Sequence, residues 1–83
     1  MGSKTHINVT IDFSNWGYQT YDLRIPIQLS VKMLLRHLIE TLKIERKEGS
    51  LCALKITTKN LLLTDGDSLI DYPVSNGDIF VVL

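Results

Sequence analysis

An α+β fold, with one helix packed across one face of a mixed sheet, is what three observations in this chain predict. Apolar residues alternate strictly near the start, switch to three- and four-residue spacing in the middle, and return to alternation at the end. At 83 residues the chain has material for one domain, and its 45% hydrophobic content suffices for a core and exceeds that of a disordered chain. Residues 1–5 read as a disordered start or an expression-tag remnant, and residues 6–83 as the single domain.

From His6 to Phe13, Ile7, Val9, Ile11 and Phe13 share one face of a half-buried strand. Ser14 to Tyr18 supply turn formers around Trp16, and alternation resumes at Tyr21, Leu23 and Ile25, completing a β-hairpin. Ser30 is a suitable helix N-cap. After it Val31, Leu34, Leu35, Leu38, Ile39 and Leu42 form one apolar stripe, with Met33 at its edge. Lys43, Arg46 and Lys47 suit the negative end of a helix dipole, so the helix is expected to run toward Gly49. Leu54 to Thr58 predict a third strand with Leu54 and Ile56 inward, Lys59-Asn60 a turn, and Leu61 to Leu63 a short fourth strand. Asp65-Gly66-Asp67 and Asn76-Gly77-Asp78 are turns before a last strand at Ile79 to Leu83. The predicted order is ββαβ(β)β.

Nine basic residues balance nine acidic ones, so no overall field favours nucleic acid or a membrane surface. The sequence carries no signal peptide and no long apolar stretch, which predicts a soluble intracellular chain without direct membrane insertion. Cys52 is the single cysteine; its neighbours Leu51, Ala53 and Leu54 mark it as a small buried hydrophobe rather than a reactive thiol. His6 and His37 lack the spacing of a zinc site and read as surface histidines. Asp65, Asp67 and Asp71 lack the calcium-loop pattern, and turn chemistry explains them. No nucleophile elbow or phosphate loop is present, so no catalytic, metal or cofactor residue is assigned and the chain is not expected to be an enzyme.

What remains is exposed apolar surface. With Ile79, Val81 and Leu83 taken as inward, alternation puts Phe80 and Val82 outward, and Trp16 sits at a loop tip. Trp and Phe are common interface anchors because they bury large area at little entropic cost. The alternative is that Trp16 folds back over its own hairpin and Phe80 covers a core edge. On the outward assignment, Phe80→Ala leaves the fold intact.

The segment Leu69-x-Asp71-Tyr72-x-Val74 before the last strand resembles the end of ubiquitin, at the same place in the order of elements. The resemblance implies a ubiquitin-like β-grasp, a ββαββ mixed sheet with one helix across it, in which Tyr72 packs at a corner with its hydroxyl bonded to nearby backbone. It also implies recognition through the outer sheet face, adding Lys55 to Trp16, Phe80 and Val82 as expected partner-binding residues. More specifically, Val9-Thr10-Ile11-Asp12-Phe13-Ser14-Asn15 and Thr20-Tyr21-Asp22-Leu23-Arg24-Ile25-Pro26, with Leu69 to Tyr72 and Asn76 to Ile79, resemble the YukD/EsaB family of type VII (ESX, WXG100) secretion systems in Gram-positive bacteria.

That resemblance implies a cytoplasmic accessory protein recruited peripherally to membrane-embedded secretion subunits, with an FtsK/SpoIIIE-type ATPase a natural partner; a weak homodimer stays open. No Gly-Gly follows Leu83, so non-covalent binding is expected rather than conjugation. The competing readings are a modifier or sulfur carrier lacking its tail, and a binding domain cut from a larger protein.

Overall fold

The computed structural model describes residues 5–50 and 53–83; the expectations for the first residues and for Cys52 fall outside them. Five strands and one helix follow one another: β1 (His6–Asp12), β2 (Thr20–Pro26), α1 (Val31–Leu42), β3 (Leu54–Ile56), β4 (Leu61–Leu63) and β5 (Ile79–Val82). Single 3-10 turns at Ser14–Trp16 and Leu69–Asp71 complete the order, which is ββαβββ. The strands form one sheet in the order β2-β1-β5-β3-β4, with β1 and β5 parallel and the other neighbours antiparallel. The fold is therefore the mixed-sheet α+β architecture expected. Thr5 also joins it, its carbonyl accepting the Ile27 N–H at 3.0 Å.

Alternation in β1 puts Ile7, Val9, Ile11 and Phe13 inside. They meet Val31, Leu34, Leu35 and Leu38 from α1, together with Leu54, Ile56, Leu63 and Leu69, in one core. Each fully buried aliphatic side chain here contributes about 1.5–3 kcal/mol.

The helix begins where Ser30 Oγ accepts the Met33 N–H at 3.2 Å. The next two unpaired donors are met from a distant loop: Val31 N–H donates to the Asp67 carbonyl at 2.8 Å and Lys32 N–H to that of Asp65 at 3.1 Å. The acidic loop thus caps the helix with its backbone. Its Asp67 side chain accepts from the Thr64 N–H at 2.8 Å, which holds the carboxyl below its usual range. The nearby Tyr72 hydroxyl also helps lower that carboxyl, while burial and the same carboxylate raise the Tyr72 hydroxyl above its ordinary value.

The helix stops earlier than its charge pattern suggested. Lys43 adopts a left-handed conformation (φ 54°), and Ile44 N–H turns back to the Ile39 carbonyl at 3.0 Å. This six-to-one bond, with the buried Ile44 side chain, is a Schellman ending built without glycine. Burial of Ile44 outweighs the favourable helix-end placement of Arg46 and Lys47. The segment packs instead on the hairpin turn: Glu45 N–H donates to the Tyr18 hydroxyl at 3.0 Å and Lys47 Nζ to the Asn15 carbonyl at 2.9 Å.

Candidate partner-binding surface

The last strand is inverted relative to the sequence expectation. Phe80 and Val82 are fully buried, opposite Ile11 and Leu54, while Ile79 is exposed and Val81 half-buried on the outer face. Trp16 is buried as well. Its ring lies 5.3 Å from that of Phe13, edge to face, and its indole N–H donates to the Leu83 carbonyl at 3.3 Å. Exposure was the ground for assigning Trp16, Phe80 and Val82 to a partner, and burial removes it. Of the four expected residues only Lys55 faces solvent.

The cause of the inversion is the turn before β5. Asp78 is buried, and its carboxylate is held by Lys59 Nζ at 2.8 Å, the Thr58 hydroxyl at 2.7 Å and the Ser75 N–H at 2.9 Å. Burial pushes the Asp78 carboxyl up, but these donors more than reverse it and hold the group below its ordinary value. The neighbouring Asn76 side chain accepts the Asn8 N–H at 2.8 Å, and Gly77, at φ 88°, donates its N–H to the Asn8 carbonyl. These bonds fix the register in which Phe80 lies opposite both Ile11 and Ile56. Five consecutive apolar residues, Ile79 to Leu83, carry no polar alternation from which that parity can be read.

The same register assembles a different apolar strip. Lys55 is paired with Val81 on one side and Leu62 on the other, so all three stand in one row across the outer face. Leu62 is 60% exposed, the most open of the large apolar side chains among the described residues, and Ile79 borders the row at 38%. Beyond Val81 the row continues to Asp12, whose carboxylate already accepts the Ser14 N–H at 2.7 Å. The lysine is thus flanked by aliphatic side chains over which its methylenes can lie while its ammonium stays in water. Leu62, Ile79 and Val81 escaped the sequence reading because the three-leucine run and the apolar last strand hide which residue points out. The one available signal was the inward parity of Leu54 and Ile56, which makes Lys55 and its cross-strand neighbours outward.

Among the described residues no cluster of three or more His, Cys, Asp or Glu could hold a metal ion, and no helix is long and apolar enough to cross a membrane. His6 and His37 are both exposed.

Comparison with known proteins accords with this architecture. Two solved structures share the fold at low sequence identity. One is the C-terminal ubiquitin-like domain of mouse tubulin-specific chaperone e (TM-score 0.64, 23% identity, 99% of this chain and 89% of that one). The other is a structure described as "Molecular Mimicry of SUMO promotes DNA repair" (TM-score 0.65, 17% identity, 98% and 96%). The fold is thus ubiquitin-like. In sequence, the type VII secretion system accessory factor EsaB of Staphylococcus aureus, in strains including Newman and COL, is 40% identical over 78 residues, spanning 94% of this chain and 96% of the relative. The family profile for the WXG100 protein secretion system protein YukD matches residues 6–82. The chain belongs to the YukD family.

Proposed function

We propose that this chain is a non-enzymatic accessory factor of a type VII secretion system. It works from the cytoplasm by docking non-covalently on the secretion machinery through the outer face of its sheet. The observation that carries the reading is the row Val81, Lys55, Leu62 with Ile79 beside it, an apolar strip left open on a domain whose other strand-borne apolar side chains point mainly inward. A binding role by ordinary burial of that strip requires no cofactor and no covalent chemistry. The accessory role follows the EsaB relatives. The partner is a membrane-embedded subunit of the system, with an FtsK/SpoIIIE-type ATPase the natural candidate, and recruitment to the membrane is through that subunit.

The test is a chromosomal Lys55→Glu/Leu62→Glu variant in the source organism, with export of WXG100 substrates measured against the steady-state level of the chain. Export is expected to fall several-fold at unchanged protein level. Normal export by the double variant overturns the assignment of this face.

A further inference from the structure

We propose a second binding site, at the opposite edge of the sheet: the open side of β2 and the groove between β2 and α1 take up an extended peptide segment of a partner protein as a sixth strand. The segment carries aliphatic side chains at alternate positions, facing the groove, and an acidic side chain opposite Arg24. The inference stands apart from the outer-face strip, which lies on the other surface and toward the β4 edge.

Hydrogen bonding supplies the first argument. In the β1–β2 ladder the bonded phase is set at both ends, by Ile27 N–H to the Thr5 carbonyl and Phe13 N–H to that of Gln19. Ile7–Ile25, Val9–Leu23 and Ile11–Tyr21 are therefore the pairs that exchange bonds. On the other side of β1, Asn8 and Thr10 spend their backbone groups on Gly77 and Asp78. Asp22 and Arg24 consequently direct their N–H and C=O groups to the open edge, and among the described residues nothing meets them. Such an edge is a template for strand addition. Pro26 closes it at one end by lacking an N–H.

The groove supplies the second. It has a volume of about 300 Å³, with Leu23 and Ile25 on the strand side and Leu34 and Leu38 on the helix side. Every second side chain of an added strand points into this space. Charge then selects the sequence. Arg24 and His37 border the groove and no carboxylate does. Asp22, the acid nearest Arg24 along the edge, already accepts the Thr10 hydroxyl at 2.7 Å. Opposite charges on adjacent strands attract, so the residue beside Arg24 is acidic. A second copy of the chain fits less well, because its own Ile25 is buried in its own core and cannot fill the groove.

The probe is a fluorescein-labelled peptide, GSVEVEVSG, with GSVKVKVSG as its charge-reversed counterpart, read by polarisation and by amide NMR of the full chain. The glutamate peptide is expected to shift and protect the Asp22 and Arg24 amides and to bind about tenfold tighter than the lysine peptide. Arg24→Pro, which removes an N–H the fold does not use, is expected to abolish binding while the remaining spectrum stays native. Arg24→Glu keeps the backbone donor and is expected to reverse the peptide preference. Three results overturn the proposal. The first is no response at the Asp22 and Arg24 amides, and the second is equal binding by folded Arg24→Pro. The third is concentration-dependent protection of these amides without peptide, with dimer in sedimentation, which assigns the edge to a second copy.

Discussion

At Asp78, burial and hydrogen bonding pull in opposite directions, and the balance makes this side chain the point where pH reaches the fold. Its carboxyl and that of Asp67 both sit below their ordinary values in the folded chain. A depressed carboxyl contributes stability that is complete above the unfolded value, about 3.9, and is lost as pH falls through the folded value. Urea denaturation is therefore expected to give a plateau between about pH 5 and 7 and declining stability below about pH 4. Asp78→Asn should shrink that acid limb, leaving the part that Asp67 carries. Asp78→Ala strands the Lys59 ammonium, the Thr58 hydroxyl and the Ser75 N–H, and should cost about 2–3 kcal/mol at pH 7. Phe80→Ala, with the ring fully buried, should cost about 3–5 kcal/mol, whereas Lys55→Ala should stay within about 0.5 kcal/mol. Equal losses for the two in the same denaturation series would contradict the inside-outside assignment of β5.

At the scale of elements, the helix shows which local signals carry and which do not. Its start was legible because Ser30 is a suitable capping residue directly before a regular apolar stripe. Ser30→Ala should lower stability by about 1 kcal/mol in thermal or urea melts. Its end was not legible, because a Schellman ending usually announces itself with glycine and here Lys43 occupies the left-handed position. Lys43→Gly should relieve that conformation and raise stability by about 0.5–1 kcal/mol, and a loss of stability would show that the Lys43 side chain matters more than its backbone. β1 could be read residue by residue because polar and apolar side chains alternate strictly. β5 could not, since its parity is set by a hydrogen-bond network whose partners range from 3 residues apart (Ser75 and Asp78) to 68 (Asn8 and Asn76). The candidate site inherited that ambiguity: Lys55 was found from the well-patterned third strand, while the residues drawn from β5 and from the hairpin tip were displaced.

For the whole molecule, the proposed function gives one sheet two tasks. Its inner face, closed by α1, holds the fold together, and its outer face is the surface proposed to meet another protein. The parallel pairing of β1 with β5 places the last strand at the centre, so the residues that anchor the core and those that border Lys55 alternate along one chain segment. Substitutions in β5 can therefore confound binding with folding, and Leu62 on the edge strand β4 is the cleaner probe. The most direct measurement is in-cell photocrosslinking, with a photoreactive amino acid at position 62 and, as a control on the exposed helix face, at position 36. Adducts of position 62 with a membrane-embedded secretion subunit, and none from position 36, are the predicted result. Adducts to that subunit from position 36 alone, or none from position 62 in cells that export normally, would contradict the account.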